Sequence, residues 1–424
     1  MAKTTSRKRL GRFTKSSDAT IKVESKSMNR KLTAAREAKQ DEFYTRYVDI
    51  QKEVEAYLEF DLDTFRGKVL YCNCDDPFES NFFKYFITNF NRLGLKKLVT
   101  TSYDGSPIAG AQLTFSEYDE GIGTRQRPKA IAVEIEKVKD ANGDGANGIE
   151  DVKLFLERNP HTRTPLAGGG DFRSPECVDL LKQSDIVVTN PPFSLFSAYV
   201  ALLVKHRKKF LIIGNTNSIT YKEIFPHIKD NKLWLGCTNF NVGMFFEVPD
   251  GWKQYHHIDE ETGRKIARVS TSCWYTNLDH GRRHQPLSLM TMADNLKFSK
   301  NLRGKSAYDR YDNYDAIEVG AYKEIPSDYD GVMGVPVTFL DKYNPDQFEI
   351  VGTLESSGPD NPYRTRWYSA QDQKDAFFRR FGKAGSIPLN MSGVINDVKV
   401  YKRILIRHRR PSQPARNTKK CIPR

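Results

Sequence analysis

Ser184-Asp185-Ile186-Val187-Val188-Thr189-Asn190-Pro191-Pro192-Phe193-Ser194 decides how the rest of the chain is read. Ile186 to Val188 form a β-branched run too short for a helix, and two prolines follow almost at once, so the run predicts a buried strand that stops abruptly. In open α/β sheets ligands bind just beyond the carboxyl ends of the strands, which places Asn190 to Phe193 at the edge of a crevice. Pro191 and Pro192 fix φ and remove two N–H donors. What remains is a ledge of acceptors, the Asn190 side-chain oxygen and the Pro191 carbonyl. Such a ledge suits an exocyclic amine held by both hydrogens, and Phe193 offers an apolar face to a planar base.

Upstream, Gly168-Gly169-Gly170 leads into Asp171-Phe172-Arg173 and a helix from Pro175 to Lys182, with Ser174 placed to cap it. Earlier still, Lys68 to Cys74 reads as a strand and Glu79 to Leu93 as a helix whose Phe82, Phe83, Phe86 and Phe90 face the sheet, with Gly94 closing it. The turn between them, Asn73-Cys74-Asp75-Asp76-Pro77, stands where a doubly wound fold binds its nucleotide, although it lacks a Gly-x-Gly loop. Lys96 to Tyr103 is a second strand. Asp104 at its end is either a ribose acceptor or the start of an Asp-Gly turn. Asn29 to Phe60 has a helical pattern, with Tyr47, Ile50, Val54 and Tyr57 on one stripe.

Residues 105–165 read as an insertion around one strand, Ala130 to Glu136. Asp140, Asn142, Asp144, Gly145 and Asp151 match parts of a calcium loop, but Asn147 and the Asp at the twelfth position depart from it, and a Gly/Asn/Asp-rich loop is the alternative. Beyond the decisive stretch, strands at Lys209 to Ile213, Leu233 to Gly236, Met244 to Val248 and Thr271 to Thr276 alternate with helices at Tyr199 to Val204 and Tyr221 to Ile228. The alternation predicts an α/β fold with a doubly wound, mostly parallel sheet. His280-Gly-Arg-Arg-His284 reads as a solvated basic loop in preference to a metal pair with Cys273. Tyr308, Tyr311 and Tyr314 are either a packed face or base-contacting residues. Short runs at Val335 to Leu340, Phe348 to Val351 and Val400 to Ile406 indicate a smaller C-terminal region.

Asn190-Pro-Pro-Phe193 after an apolar strand resembles the catalytic tetrapeptide of S-adenosylmethionine-dependent amino-methyltransferases. DEFYTRYVDI (41–50), VLYCNCDDP (69–77), DFRSPEC (171–177) and KKFLIIGNTNSITYKE (208–223) narrow the resemblance to the EcoRI-type DNA adenine-N6 modification methylases, over about residues 40 to 350. The resemblance implies a Rossmann-like catalytic domain (41–285) that binds S-adenosyl-L-methionine, followed by a target-recognition region (286–410). It implies that Phe43, Tyr44 and Thr45 fold over the methionine end of the cofactor. Asn73, Asp75, Asp76 and Pro77 would form the cofactor turn, whose carboxylates suit the ammonium and hydroxyl groups. Asp171 would accept the cofactor's adenine amine beside Phe172, and Asn190, Pro191, Pro192 and Phe193 would be catalytic. The expected reaction is methyl transfer to N6 of an adenine flipped out of double-stranded DNA, in a restriction-modification or phage self-protection setting. The same tetrapeptide also fits methylation of an RNA base or of protein glutamine, and a catalytically inactive nucleic-acid-binding protein is the alternative of another class.

The net charge of the 424 residues is +13. Residues 1–40 hold 12 Lys/Arg against three Asp/Glu, and residues 402–424 hold nine against none, which leaves the 361 residues between them at −5. Basic ends flanking a slightly acidic body suit sequence-independent attraction to phosphates. The N-terminal arm (1–40) is read as largely disordered and residues 411–424 as a basic tail. No apolar run reaches the ~18 residues of a membrane span, and no apolar signal segment is visible. The six cysteines, at 72, 74, 177, 237, 273 and 421, include no C-x-x-C pair and predict free thiols in a reducing cytoplasm. No obligate protein partner is evident.

Overall fold

The computed structural model describes residues 44–73, 80–102, 130–138, 154, 163–248, 252–253, 255–260, 262–354 and 361–409. Phe43, Asp75, Asp76, Pro77, Asp104, the 140–151 loop, the N-terminal arm (1–40) and the basic tail (411–424) lie outside these residues. The chain opens with β1 (Tyr44–Thr45) and α1 (Tyr47–Leu58), then β2 (Val69–Asn73), α2 (Asn81–Thr88), α3 (Phe90–Leu93), β3 (Lys97–Thr101), β4 (Ile131–Ile135) and β5 (Arg163–Pro165). Next come α4 (Pro175–Gln183), β6 (Ile186–Thr189), α5 (Phe196–Lys205), β7 (Lys209–Asn215), α6 (Phe225–Lys229) and β8 (Trp234–Leu235). They are followed by β9 (Met244–Val248), β10 (His257–Ile258), β11 (Lys265–Val269) and β12 (Ser272–Thr276).

The central sheet has eight strands in the order β5-β4-β3-β2-β6-β7-β12-β8. Its four middle strands, β3, β2, β6 and β7, pair in parallel, while β4 and β12 run antiparallel to their neighbours on either side. The sheet is therefore mixed and not mostly parallel as expected: three parallel pairings occupy its centre, and the four pairings toward its two edges are antiparallel, because β4 and β12 enter against their neighbours. Every residue of β6 is buried, as two-sided packing of a central strand requires. Val187 points into the core shared with α4 and α5, whereas Ile186 and Val188 point into the core shared with α1 and α2. Phe82, Phe83, Phe86 and Phe90 are buried in the latter, and Gly94 closes α3 in the left-handed conformation, both as expected.

Two expectations are corrected. Met244 to Val248 does not join the central sheet: it pairs antiparallel with β11 and β1 in a separate four-stranded sheet, ordered β1-β9-β11-β10. Asn239, Asn241 and Gly243, all at positive φ, turn the chain away between β8 and β9. Tyr44-Thr45 in turn is not part of the helix, because it finds an edge to pair with at Phe246 and Glu247.

The C-terminal part contains α7 (Met292–Phe298), β13 (Ile317–Glu318), β14 (Met333–Pro336), β15 (Phe348–Thr353), α8 (Ala370–Phe381), β16 (Val394–Ile395), β17 (Val398–Lys399) and β18 (Arg403–His408). Four of these strands form a sheet ordered β13-β14-β18-β15, and β16 and β17 form a hairpin. Met333, Val335, Phe348, Ile350, Ile404 and Ile406 continue the hydrophobic core that begins at α5 and α6. Tyr308, Tyr311 and Tyr314 are buried, which decides for packing over base contact. Among the described residues no helix is long and apolar enough to cross a membrane.

Candidate active site

Asn190 stands where β6 ends, and its position is set by how that strand is held. At the amino end of β6, Asp185 N–H donates to the Val69 carbonyl and its carboxylate accepts from Val69 N–H, each at 2.8 Å. At the other end the Thr189 hydroxyl donates to the carbonyl of Asn73, the last residue of β2. The carboxyl ends of the two parallel strands are thus clamped side by side. The acceptor ledge thus begins beside Asn73, the first residue of the stretch expected to take the cofactor.

Pro191 is buried, while Asn190, Pro192 and Phe193 are half-buried. Phe193 opens a short 3-10 turn, Phe193–Leu195, closed by a 2.9 Å bond from Leu195 N–H to the Pro192 carbonyl, and α5 follows directly. The helix is seated by Phe196, whose ring occupies the space above Gly214 in β7. A Cβ built there would lie 2.4 Å from Phe196 Cε2, so only glycine admits the ring. Phe193 itself packs on the α1/α2 side of the sheet.

Beyond the first turn, Ser80 caps α2 by accepting from Phe82 N–H at 3.1 Å and Phe83 N–H at 3.5 Å. Asn81 reaches back from the same helix end. Its Nδ2 donates to the Thr45 carbonyl at 2.9 Å and to Glu247 at 3.3 Å, which fixes the Tyr44-Thr45 strand against the start of α2. Thr45, singled out for cofactor contact, is thereby a neighbour of the start of α2, although 36 residues separate it from Asn81.

Asp171 and Phe172 approach from the opposite face. Asp171 accepts from the Arg173 backbone at 2.8 Å and from its guanidinium at 2.9 and 2.6 Å, and this pairing holds the carboxyl below its usual range. The carboxylate is still 42% exposed, so acceptor capacity remains. Phe172 is buried and meets the Tyr199 ring of α5 edge-on at 5.0 Å between centroids. Ser174 caps α4 as expected, accepting from Cys177 N–H at 3.3 Å, and the Glu176 carboxylate accepts from Ala167 and Gly168 at 2.8 and 2.9 Å. Thr189, Asn81 and Glu176 carry no motif, and sequence reading missed them. The sole hint was a threonine at the last position of the predicted strand.

The family model described as adenine-specific methyltransferase EcoRI matches residues 31–409. The chain belongs to this family. It is 45% identical over 327 residues to the type II methyltransferase M.EcoRI of Escherichia coli, covering 76% of this chain and 89% of that one. The type II methyltransferase M.MpnI of Mycoplasma pneumoniae is 38% identical over 336 residues, covering 78% and 86%. M.MgeORF184P of Mycoplasma genitalium, also a type II methyltransferase, is 37% identical over 335 residues, covering 78% and 87%. No solved structure matches the chain. Membership makes the chain an adenine-specific DNA methyltransferase.

The expected solvated character of the basic stretch after β12 is corrected. His280 is buried, with Nε2 3.0 Å from the Leu235 carbonyl. Arg282 bonds the Cys237 carbonyl and pairs with Asp341 at 3.0 Å, and the Arg283 guanidinium lies 3.5 Å from the Trp234 ring centroid. Among the described cysteines Cys177, Cys237 and Cys273 are free and buried and Cys72 is buried in the α1/α2 core, and no metal-holding cluster occurs among the described residues.

Proposed function

We propose that this methyltransferase moves a methyl group from S-adenosyl-L-methionine to N6 of an adenine extruded from double-stranded DNA. The observation that carries the reading is the clamp between Thr189 and Asn73, which sets the Asn190-Pro191 ledge beside the carboxyl end of β2. The parallel order β3-β2-β6-β7 reverses direction between β2 and β6, so this junction is the switch point of a doubly wound, Rossmann-like unit, where such folds bind nucleotides. The residue types suit the cofactor: the Asp171 carboxylate for the adenine amine, the Tyr44-Thr45 strand, and, from the sequence, Asn73, Asp75, Asp76 and Pro77 together with Asp104 and Phe43.

S-adenosylmethionine supplies the electrophilic methyl group. The Asn190 side chain and the Pro191 carbonyl accept the two hydrogens of the target amine, which aims the nitrogen lone pair and limits its delocalisation into the ring. Phe193 stacks on the extruded base, and Pro192 holds the ledge rigid. Positioning and electrostatics suffice, with no strong base, since the proton leaves to water after transfer. Residues 41–285 act as the catalytic domain, with 105–165 as an insertion, and 286–410 as the target-recognition region. The setting is restriction-modification or phage self-protection, in the cytoplasm of the host.

Asn190→Ala is the test. Loss of one aligned acceptor is expected to cost about 3 kcal/mol in the transition state, by analogy with oxyanion-hole deletions, while cofactor affinity stays within a few-fold. Turnover near wild type, measured as N6-methyladenine formed in DNA, would refute the assignment.

A further inference from the structure

We propose that α8, together with the loop leading into it, docks the DNA duplex flanking the target adenine; the inference rests on the DNA-methylating reading above. The helix is well defined by its own sequence. Ser369 and Asp372 form a reciprocal capping box, and Gly382 ends it at a φ of 64°. It is fastened to the body through Ala376, the one fully buried residue of its 12. Gln371, Lys374, Phe378 and Phe381, spaced i, i+3, i+7 and i+10, form a solvent-facing stripe.

The stripe has an unusual composition. Phe378 is 61% exposed and Phe381 48%, and Trp367 just before the helix is 52% exposed. Large apolar side chains left out of the core on one short segment mark a contact surface. Residues 364–383 carry six Lys/Arg against two Asp. Arg366 and Arg379 are paired with Asp372 and Asp397, whereas Lys374, Arg380 and Lys383 have no ion-pair partner among the described residues. Aromatic rings among uncompensated cations fit a polyanion that also displays apolar edges. The cations would meet phosphates, and the rings sugars and base edges in a groove wide enough for a helix.

The position agrees. The Arg379 guanidinium holds Asp397 at 2.7 and 3.1 Å in the turn between β16 and β17, where Asn396 and Asp397 are both at positive φ. That hairpin runs on to Tyr401, 86% exposed, and to Lys402, whose ammonium donates to the Thr220 hydroxyl at 3.1 Å. Thr220 ends the 3-10 segment that follows β7 at the carboxyl edge of the sheet. Asn190 lies on this edge, one strand away. Helix α8 is thus linked to the edge where the target base must arrive.

The test uses the full chain and a duplex in which the wild-type protein forms N6-methyladenine. The variant Phe378→Ser/Phe381→Ser is expected to raise KM for that duplex at least tenfold, with kcat at saturating DNA within about twofold of wild type and cofactor affinity unchanged. Lys374→Ala/Arg380→Ala/Lys383→Ala is expected to flatten the slope of log K against log salt by about 0.9 for each phosphate that these side chains neutralise in the wild-type complex. Wild-type KM and slope in both variants would overturn the docking surface alone. Altered self-association with unchanged DNA affinity would overturn it in favour of a protein contact. A wild-type protein that binds cofactor and methylates no adenine in any duplex would remove the functional reading, and this surface with it.

Discussion

Glu53 shows how a single buried side chain sets geometry some distance from any motif. It projects from α1, and its Oε1 accepts from Cys237 N–H at 2.7 Å while Oε2 accepts from Thr238 N–H at 2.7 Å and the Thr238 hydroxyl at 2.6 Å. Burial pushes the carboxyl above its ordinary range, and these donors offset only part of that rise. Gly236 is required beneath it, because a Cβ there would lie 2.2 Å from Glu53 Oε1. The acid therefore ties the first helix to the loop that carries the chain from the central sheet to β9. Glu53→Gln turns one acceptor into a donor facing donors, and is expected to cost about 1–3 kcal/mol in urea unfolding. In sequence Glu53 looked like one more polar residue on a helix; its donors lie more than 180 positions away, where no local pattern reaches.

At the scale of elements, α5 and the β12 corner make separate predictions. Gly214→Ala would drive a methyl group into the Phe196 ring, at a stability cost of about 1–3 kcal/mol. Because Phe196 stands three residues after Phe193, methylation at a temperature where the variant is still folded should also fall. Stability lost with full turnover retained would show that the ledge is held by β6 alone. For the corner, burial holds the His280 imidazole down at about 4, and its Nε2 lies at the Leu235 carbonyl. A base whose folded-state pKa is depressed contributes stability above its unfolded value, near 6.5, and loses it as pH falls toward the folded one. Urea unfolding is expected to show about 2 kcal/mol less stability at pH 5 than at pH 7 from this group, and His280→Gln should remove that part of the slope. The run of basic residues here invited a solvated reading, since charge patterning along the chain gives no view of the apolar Trp234 face and the two carbonyls that bury it.

For the whole molecule, the decisive feature is charge set against fold: a body of −5 between two basic ends. Deleting residues 1–28 removes Lys3, Arg7, Lys8, Arg9, Arg12 and Lys15, which can meet phosphates without reading bases. DNA affinity and its salt dependence are expected to fall while the methylated site stays the same. Superimposable salt slopes for the full and truncated chains would return the arm to a solubilising role, and a relaxed methylation site would show that it reads sequence.

The amino-acid sequence by itself determined the local units around the site. A β-branched run halted by Pro191 and Pro192, a phenylalanine face on α2, a serine cap at Ser174 and a glycine at Gly94 are short-range signals, each set by dihedral preference and by burial of one face. Tertiary structure alone decided which strand lies beside which. The clamp of Thr189 on Asn73 spans 116 positions, and β1 reaches an edge about 200 residues further on. Such pairings satisfy backbone groups whose partner can be any unpaired edge, so the choice depends on which edges the assembled core leaves open.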